Sequence, residues 1–105
     1  MSDDELTGHL ARRIMGWKVT PDRFIKSGRN WIPRWRFQPF QQLADAFQLL
    51  ERAADRFSLT CERHRVFMAE VQIGDRKGKA SGKQIARTLT TAVARTLGID
   101  VEAGS

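Results

Sequence analysis

A basic, glycine-rich stretch, "GDRKGKASGK" at residues 74–83, has the residue types that bind phosphate. A nucleotide-hydrolysing P-loop needs four residues between its glycines, and then Lys followed by Ser or Thr. Here three residues separate Gly74 from Gly78 and Gly78 from Gly82, and neither following lysine precedes Ser or Thr. The spacing therefore excludes a P-loop.

A weaker anion-binding signal remains in the same stretch. We expect a loop whose Ser81 caps a final helix, so that free backbone N–H groups at the helix start lie near the lysines. The alternative is a flexible connection with solvated charges. The predicted anion-binding residues of this region are Arg76, Lys77, Lys79, Lys83 and Arg87.

Tryptophans interleaved with cations form a second candidate. In "NWIPRWRF" at residues 30–37, Trp31 and Trp35 alternate with Arg34 and Arg36. Basic grooves that carry aromatic side chains bind single-stranded nucleic acid by stacking, but small domains also use tryptophan to fill the core. We expect mainly core packing, with Trp31 or Trp35 as the exposed exception. Trp31, Arg34 and Trp35 join the predicted anion-binding residues.

The sequence has no pattern typical of catalysis or metal binding. His9 and His64 are the only histidines and Cys61 is the only cysteine, whereas a zinc site needs three or four ligands. Cys61 alternates with apolar neighbours and is expected to be packed and inert. We expect a protein that is not an enzyme and needs no metal or cofactor. A pocket joining His64, Cys61 and a carboxylate would argue for an enzyme.

Size and composition indicate one globular domain. The 105 residues, of which 41% are hydrophobic and 29% charged, predict a single domain over residues 1–101 with a frayed tail at 102–105. No apolar run approaches the ~20 residues that span a bilayer, and the acidic start lacks the apolar core of a secretory signal. With a single cysteine, these features predict a cytoplasmic protein without membrane contact.

The charge is positive and divided into two blocks. A net charge of +6 favours polyanions or anionic metabolites as partners. Residues 12–36 carry eight cations against Asp22 alone, and residues 74–96 carry six against Asp75 alone. Folding could bring both blocks onto one face. The alternative is a generally solvated basic surface.

Periodicity and capping signals predict three helices, at about 3–15, 39–56 and 81–97. Ser2 and Glu5 have the spacing of a capping box, and Pro39 suits a first helical position. Apolar alternation predicts a hairpin over 57–73, with a possible extra strand at 31–37 and "WKV" at 17–19 as its partner. The expected class is α+β, a small antiparallel sheet packed with three helices. An α/β/α sandwich is one arrangement of these elements.

Three stretches together resemble the phage ABA sandwich domain family. They are "RRIMGWKV" at 12–19, "FQPFQQLADAFQLLERAADRFSLTC" at 37–61 and "KQIARTLTTAVARTLGI" at 83–99. Met15, Gly16 and Trp17 match the Met-Gly-Trp that ends the first helix in this family. The resemblance implies a phage or prophage origin and the fold, and it brings no catalytic motif.

The stretch "VFMAEVQIGDRKGKASGKQIARTLTTAVARTL" also looks like the latter half of a double-stranded RNA-binding domain. By that resemblance Lys79, Lys83 and Arg87 would grip phosphates. The usual lysine pair is replaced by Gly82-Lys83-Gln84, and a third strand before the hairpin is missing. The resemblance covers about a third of the chain.

Three functions are compatible with these observations. The preferred hypothesis is a non-enzymatic phage or prophage accessory protein that binds nucleic acid or a nucleotide-type metabolite. A second is a structural or regulatory homo-oligomeric adaptor that contacts proteins through exposed tryptophans. The third is a module similar to a double-stranded RNA-binding domain.

Overall fold

Three helices and two small antiparallel sheets form the chain, as seen in a computed structural model that describes residues 2–99. The helices are α1 (Asp3–Leu10), α2 (Leu43–Ala53) and α3 (Ile85–Thr96). The first sheet has the order β1 (Lys18–Val19), β2 (Arg23–Ser27), β3 (Asn30–Pro33). The second has the order β4 (Arg56–Glu62), β5 (Val66–Ile73), β6 (Arg76–Gly82). The predicted α+β class is confirmed, and the expected frayed tail at 102–105 lies outside the described residues.

Helix α1 begins where the sequence predicts, and its π-helical continuation ends at Met15, the predicted helix end. The Ser2 hydroxyl accepts the Glu5 backbone N–H at 3.2 Å and lies 3.2 Å from the Glu5 carboxylate. After Leu10 the helix widens into one π-helical turn, Ala11–Met15, which the sequence does not reveal. Gly16 then ends it with φ +71°, a left-handed conformation that glycine adopts at little cost.

The other two helices begin later than predicted. Pro39 does not open α2, because the backbone first makes a turn in which Gln42 N–H donates to the Gln38 carbonyl at 2.7 Å. Likewise α3 begins at Ile85, after Gln84, so the prediction that Ser81 is its N-cap is wrong. Ser81 lies inside β6 instead.

The glycine-rich stretch is a strand, and the expected loop is limited to a turn at Gly74 and Asp75. Strand β6 runs antiparallel to β5, with Gly78 opposite Val71. A Cβ atom on Gly78 would lie 2.6 Å from the Thr96 backbone nitrogen and 2.7 Å from the Ala92 carbonyl oxygen. Glycine therefore stands here because α3 packs almost directly on the strand backbone.

The second sheet has one covered face. Alternate residues on β5 and β6, among them Ala69, Val71 and Ala80, are buried on the side of α3. The opposite face is open, where we expected helices on both. Its side chains are mostly polar and belong to Arg56, Ser58, Thr60, Glu62, Val66, Met68, Glu70, Gln72, Lys77, Lys79 and Ser81.

The predicted strand at 31–37 is shorter and belongs to a different sheet. It ends at Pro33, and a 3-10 turn follows at Arg34–Arg36. It pairs with β2, a strand the sequence did not reveal, and does not extend the β4–β5 hairpin. The expected "WKV" strand forms at Lys18–Val19, but it also pairs with β2. Strands this short carry too few residues for a clear alternation.

The core joins the two sheets' inner faces to the helices. Trp17, Phe24 and Phe37 form an aromatic cluster with ring centroids 5.1 to 5.8 Å apart. This spacing is typical of favourable edge-to-face packing. The aliphatic part contains, among others, Leu6, Leu10, Leu49, Leu50, Val71, Leu89 and Val93.

Strand β4 lies largely outside this core. Phe57 is 46% exposed and Cys61 is exposed as well. The prediction that Cys61 is packed inward is therefore wrong. Helix α3 lies over β5 and β6, so the side chains of β4 on the helix side have little cover.

Two arginines hold the start of α1. Arg87 forms an ion pair with Asp3, and the Arg34 guanidinium lies 2.8 Å from the Asp4 carboxylate. Arg34 also donates to the Asp4 carbonyl at 2.7 Å and lies 4.6 Å from the Phe24 ring centroid. Only 14% of the Arg34 side chain is exposed, so its stem packs as part of the core boundary.

We expect Gly78→Ala to destabilise the fold by about 3 kcal/mol, because the added methyl group meets backbone atoms of α3. Gly82→Ala is the matched control, since its Cβ would meet only the Thr88 hydroxyl, at 2.9 Å, and should cost about 1 kcal/mol. Urea unfolding of both variants measures the difference. Equal losses would contradict the close approach of α3 to β6.

We expect Arg34→Ala to cost about 2 kcal/mol, because it removes two hydrogen-bonded contacts to Asp4 and the packing on Phe24. Arg36→Ala removes the same charge at an exposed position and should change stability by less than about 0.5 kcal/mol. Thermal unfolding distinguishes them. If both variants behave alike, Arg34 is not part of the structural support of α1.

Candidate anion-binding surfaces

The predicted anion-binding residues are divided between the two sheets. Lys77 and Lys79 lie on the open face of the second sheet, whereas Trp31 and Trp35 lie on β3 and the turn after it. An extended strand rises about 3.3 Å per residue, so Lys77 is roughly 20 Å along the chain from Lys83, near the start of α3. The lysines therefore do not surround the start of α3 as expected.

The second-sheet surface carries mixed charge. The Lys79 ammonium lies 3.7 Å from the Glu70 carboxylate, and both side chains are largely exposed. Such surface pairs contribute little energy, but they place an acid beside the lysine. A shallow groove of about 290 Å³ is lined by Arg56, Phe57, Ser58, Glu70, Gln72 and Lys77. Arg76 lies on the opposite side, within reach of Gly98.

Arg34 and Arg87 are engaged in the fold. Arg34 is bound to Asp4, while Arg87 pairs with Asp3 and lies 5.3 Å from the Phe40 ring centroid. A ligand would have to displace an aspartate to reach either guanidinium. Of the predicted cations, these two act first as structural supports.

The first sheet presents what we call the tryptophan surface. Its strand register places Trp31 opposite Ile25, and Ile25 opposite Lys18, all on the face away from the buried Phe24. Trp31 is 49% exposed and Trp35, in the turn that follows, is 66% exposed. The name covers this face and the turns that follow its strands, with the side chains of Lys18, Arg23, Arg29, Trp31, Trp35 and Arg36. Lys26 is not included, because its ammonium lies 5.1 Å from the ring centroid of the buried Trp17.

Each exposed tryptophan has an arginine over its ring. The Arg23 guanidinium carbon lies 4.2 Å from the Trp31 ring centroid, and that of Arg36 lies 5.7 Å from the Trp35 centroid. Cation–π contacts of this kind orient the ring and keep the charge beside it. Trp31 and Trp35 therefore each present a planar aromatic ring next to a positive group, and the two rings are only four residues apart in the sequence.

Acids lie beside both exposed tryptophans. Trp35 shares a groove with Asp3 and Asp4, which pair with Arg87 and Arg34, and Asp22 lies beside Arg23. Asp22 accepts hydrogen bonds from Arg23 Nε at 3.2 Å and Arg23 Nη2 at 2.9 Å. These bonds, and then one from the Thr20 hydroxyl, hold the pKa of Asp22 below its ordinary value. Asp22 thus stays ionised and offsets part of the Arg23 charge. Asp22 is the only Asp or Glu between residues 6 and 44, so this stretch of sequence carries more positive than negative charge.

Sequence reasoning missed several members of the tryptophan surface. The predicted site lacked Lys18, Arg23, Arg29 and Arg36, although the count of cations in residues 12–36 had pointed to them. The tryptophan expectation also needs revision. Only one of the three, at position 17, is in the core, and both of the others are exposed.

Within residues 2–99, no three His, Cys, Asp or Glu side chains gather as a metal site would require. No helix in that range is long and apolar enough to cross a membrane. Cys61 and His64, whose shared pocket would have indicated an enzyme, are both exposed at the β4–β5 end of the second sheet.

Comparison with known proteins agrees with the fold. The chain resembles the structure of a phage protein from Bacillus cereus ATCC 14579, with a TM-score of 0.78 and 16% identity over 97% of this chain and 93% of that one. No curated protein matches. The profile of the phage ABA sandwich domain matches residues 9–95. Because that match covers most of the sequence, the chain belongs to the phage ABA sandwich domain family.

Proposed function

We propose that this protein is a non-enzymatic phage or prophage accessory protein that binds single-stranded nucleic acid through the tryptophan surface. The observation that carries the proposal is the pair of exposed tryptophans, each in contact with an arginine, with Lys18, Arg29 and Arg36 exposed on the same sheet and its turns. Tryptophan is enriched at binding interfaces, because its ring offers a large apolar face and its N–H can donate a hydrogen bond.

Stacking gives these rings a use. A base that stacks on an aromatic side chain typically gains about 1–3 kcal/mol, and this gain tolerates any base sequence. Trp31 and Trp35 are four residues apart, so their Cα atoms are at most about 14 Å apart. One short unpaired strand can therefore reach both rings.

The cations around the rings would contact the phosphates. Lys18, Arg29 and Arg36 are exposed, and their charges are free to face a strand that crosses the sheet. Phosphate contacts make the affinity fall with salt, by a slope of roughly 0.7 per contact for single strands on logarithmic axes. A nucleotide-type metabolite would stack a single base, and its affinity would depend less steeply on the salt concentration.

A second candidate is duplex RNA bound at the second sheet. The order α2–β4–β5–β6–α3 has three strands between its helices, which removes the objection that a strand is missing from the RNA-binding-domain resemblance. Its expected phosphate-contacting residues are less well placed, since Lys79 lies beside Glu70 and Arg87 is bound to Asp3. An adaptor role would instead use the tryptophans to contact protein.

We expect the double variant Trp31→Ala, Trp35→Ala to bind an oligothymidine at least about tenfold more weakly, because it removes two stacking rings. Fluorescence anisotropy of a labelled oligonucleotide at several salt concentrations measures the affinity. Far-ultraviolet circular dichroism checks that the variant folds, which we expect because both side chains are exposed.

A matched pair of charge variants locates the surface. Lys18→Gln, Arg29→Gln, Arg36→Gln should lower affinity and reduce the salt slope by about 2, since three phosphate contacts are lost. Lys77→Gln, Lys79→Gln, Lys83→Gln removes the same charge from exposed positions elsewhere and should change affinity much less. The reverse ranking, with a preference for duplex RNA, would favour the second candidate. Wild-type affinity that ignores salt would contradict both.

A further inference from the structure

Strand β4 has an open edge. It is the first strand in the order β4–β5–β6, and within the described residues it pairs with β5 alone. Its seven residues extend for roughly 23 Å, with a row of backbone N–H and C=O groups that no strand satisfies. An edge of this length is a template for a further strand.

The helix side of β4 is apolar and only partly covered, because Leu59 packs against the core while its neighbours on that side are exposed. It carries Phe57, which is 46% exposed, then Leu59 and the exposed Cys61. The Phe47 ring of α2 lies 6.1 Å from the Phe57 ring, and Leu43, one turn earlier on α2, is also exposed. The edge is therefore continuous with an apolar strip between β4 and α2. In a monomer this strip is exposed to water.

The other edge of the sheet is protected against pairing. Strand β6 places Lys77 and Lys79 near its centre, and two copies brought together there would oppose positive charges. Strand β4 has charges only at its ends, Arg56 and Glu62, and they are of opposite sign. This contrast indicates that β4 is the edge that accepts a strand.

We propose that the strand is β4 of a second copy of the chain, paired antiparallel about a two-fold axis at Leu59. In this register Arg56 faces Glu62 of the second copy, and Phe57 faces Cys61. Ser58 then faces Thr60, and Leu59 faces itself. Every residue meets one of matching chemistry, as a two-fold symmetric interface requires.

Neighbouring registers lose this match. A shift of two residues toward the start of β4 places Arg56 opposite Thr60, and Cys61 opposite Asp55. A shift of two toward its end places Phe57 opposite Arg63, and Glu62 opposite Ser58. Shifts of one residue turn the helix side of one copy to the open side of the other. In the proposed register the flanking residues Asp55 and Arg63 also have opposite charges.

The dimer would form one six-stranded antiparallel sheet with α3 of both copies on the same side. It would cover the backbone edge and the apolar side of β4 together. The interface contains no residue of the tryptophan surface, so this inference goes beyond the proposed function and does not depend on it.

Two single charge reversals and their mixture test the register. Arg56→Glu sets acid against acid at both ends of the interface, and Glu62→Arg sets base against base. Each variant alone should dissociate at least about tenfold more readily, because like charges face one another twice. Mixed in equal amounts, the two should form a heterodimer, since every facing pair is then of opposite sign. Sedimentation equilibrium without nucleic acid measures all three samples.

Wild-type protein should sediment as a dimer at about 100 µM, where complexes of micromolar Kd are populated. A wild-type monomer at that concentration would overturn the proposal. So would single variants that dimerise as well as wild type, or a mixture that stays monomeric. An unchanged far-ultraviolet circular dichroism spectrum of the variants, expected because both positions are exposed, excludes misfolding as the cause. A binding defect on the tryptophan surface would leave these results unchanged.

Discussion

The close approach of α3 to β6 is the constraint on which the rest of the structure depends. At Gly78 the strand backbone is so near Ala92 and Thr96 that no side chain fits between them. Ala80 and Gly82, on the same side of the strand, keep the contact close along its length. In return, α3 buries a face of small and branched side chains that a polar loop could not cover. A stretch that looks like a flexible phosphate loop is thereby held as a strand.

Several features of the surface follow from this contact. Because alternate residues of β6 must be small, its lysines point to the open face, away from the start of α3. Lys77 and Lys79 therefore lie on a different sheet from the one that carries the two exposed tryptophans. Because α3 is centred on β5 and β6, the apolar side of β4 stays largely exposed. The contact between α3 and β6 thus helps to explain why the tryptophan surface and the exposed edge of β4 lie on different sheets.

Local signals in the sequence predicted much of the fold. The helix start at Ser2 and the hairpin over 57–73 were confirmed, because short-range hydrogen bonding and periodicity determine them. Strand β6 was missed because glycine and lysine are poor strand formers, and only the tertiary contact with α3 explains them. The alternation of apolar residues predicted that Cys61 is buried, but Cys61 is exposed. Alternation shows which side chains share a face of a strand, and it does not show whether a helix covers that face. Of the candidate site, the tryptophans were identified and most of the cations beside them were not.

The central functional claim is that the ligand contacts the exposed tryptophans of the first sheet. The most direct test is a titration of ¹⁵N-labelled protein with a short oligothymidine, followed through its indole N–H resonances. The resonances of Trp31 and Trp35 should shift together and saturate, while that of the buried Trp17 and the amides of Lys77 and Lys79 should barely move. Shifts confined to the second sheet, or no shifts at low salt, would contradict this account.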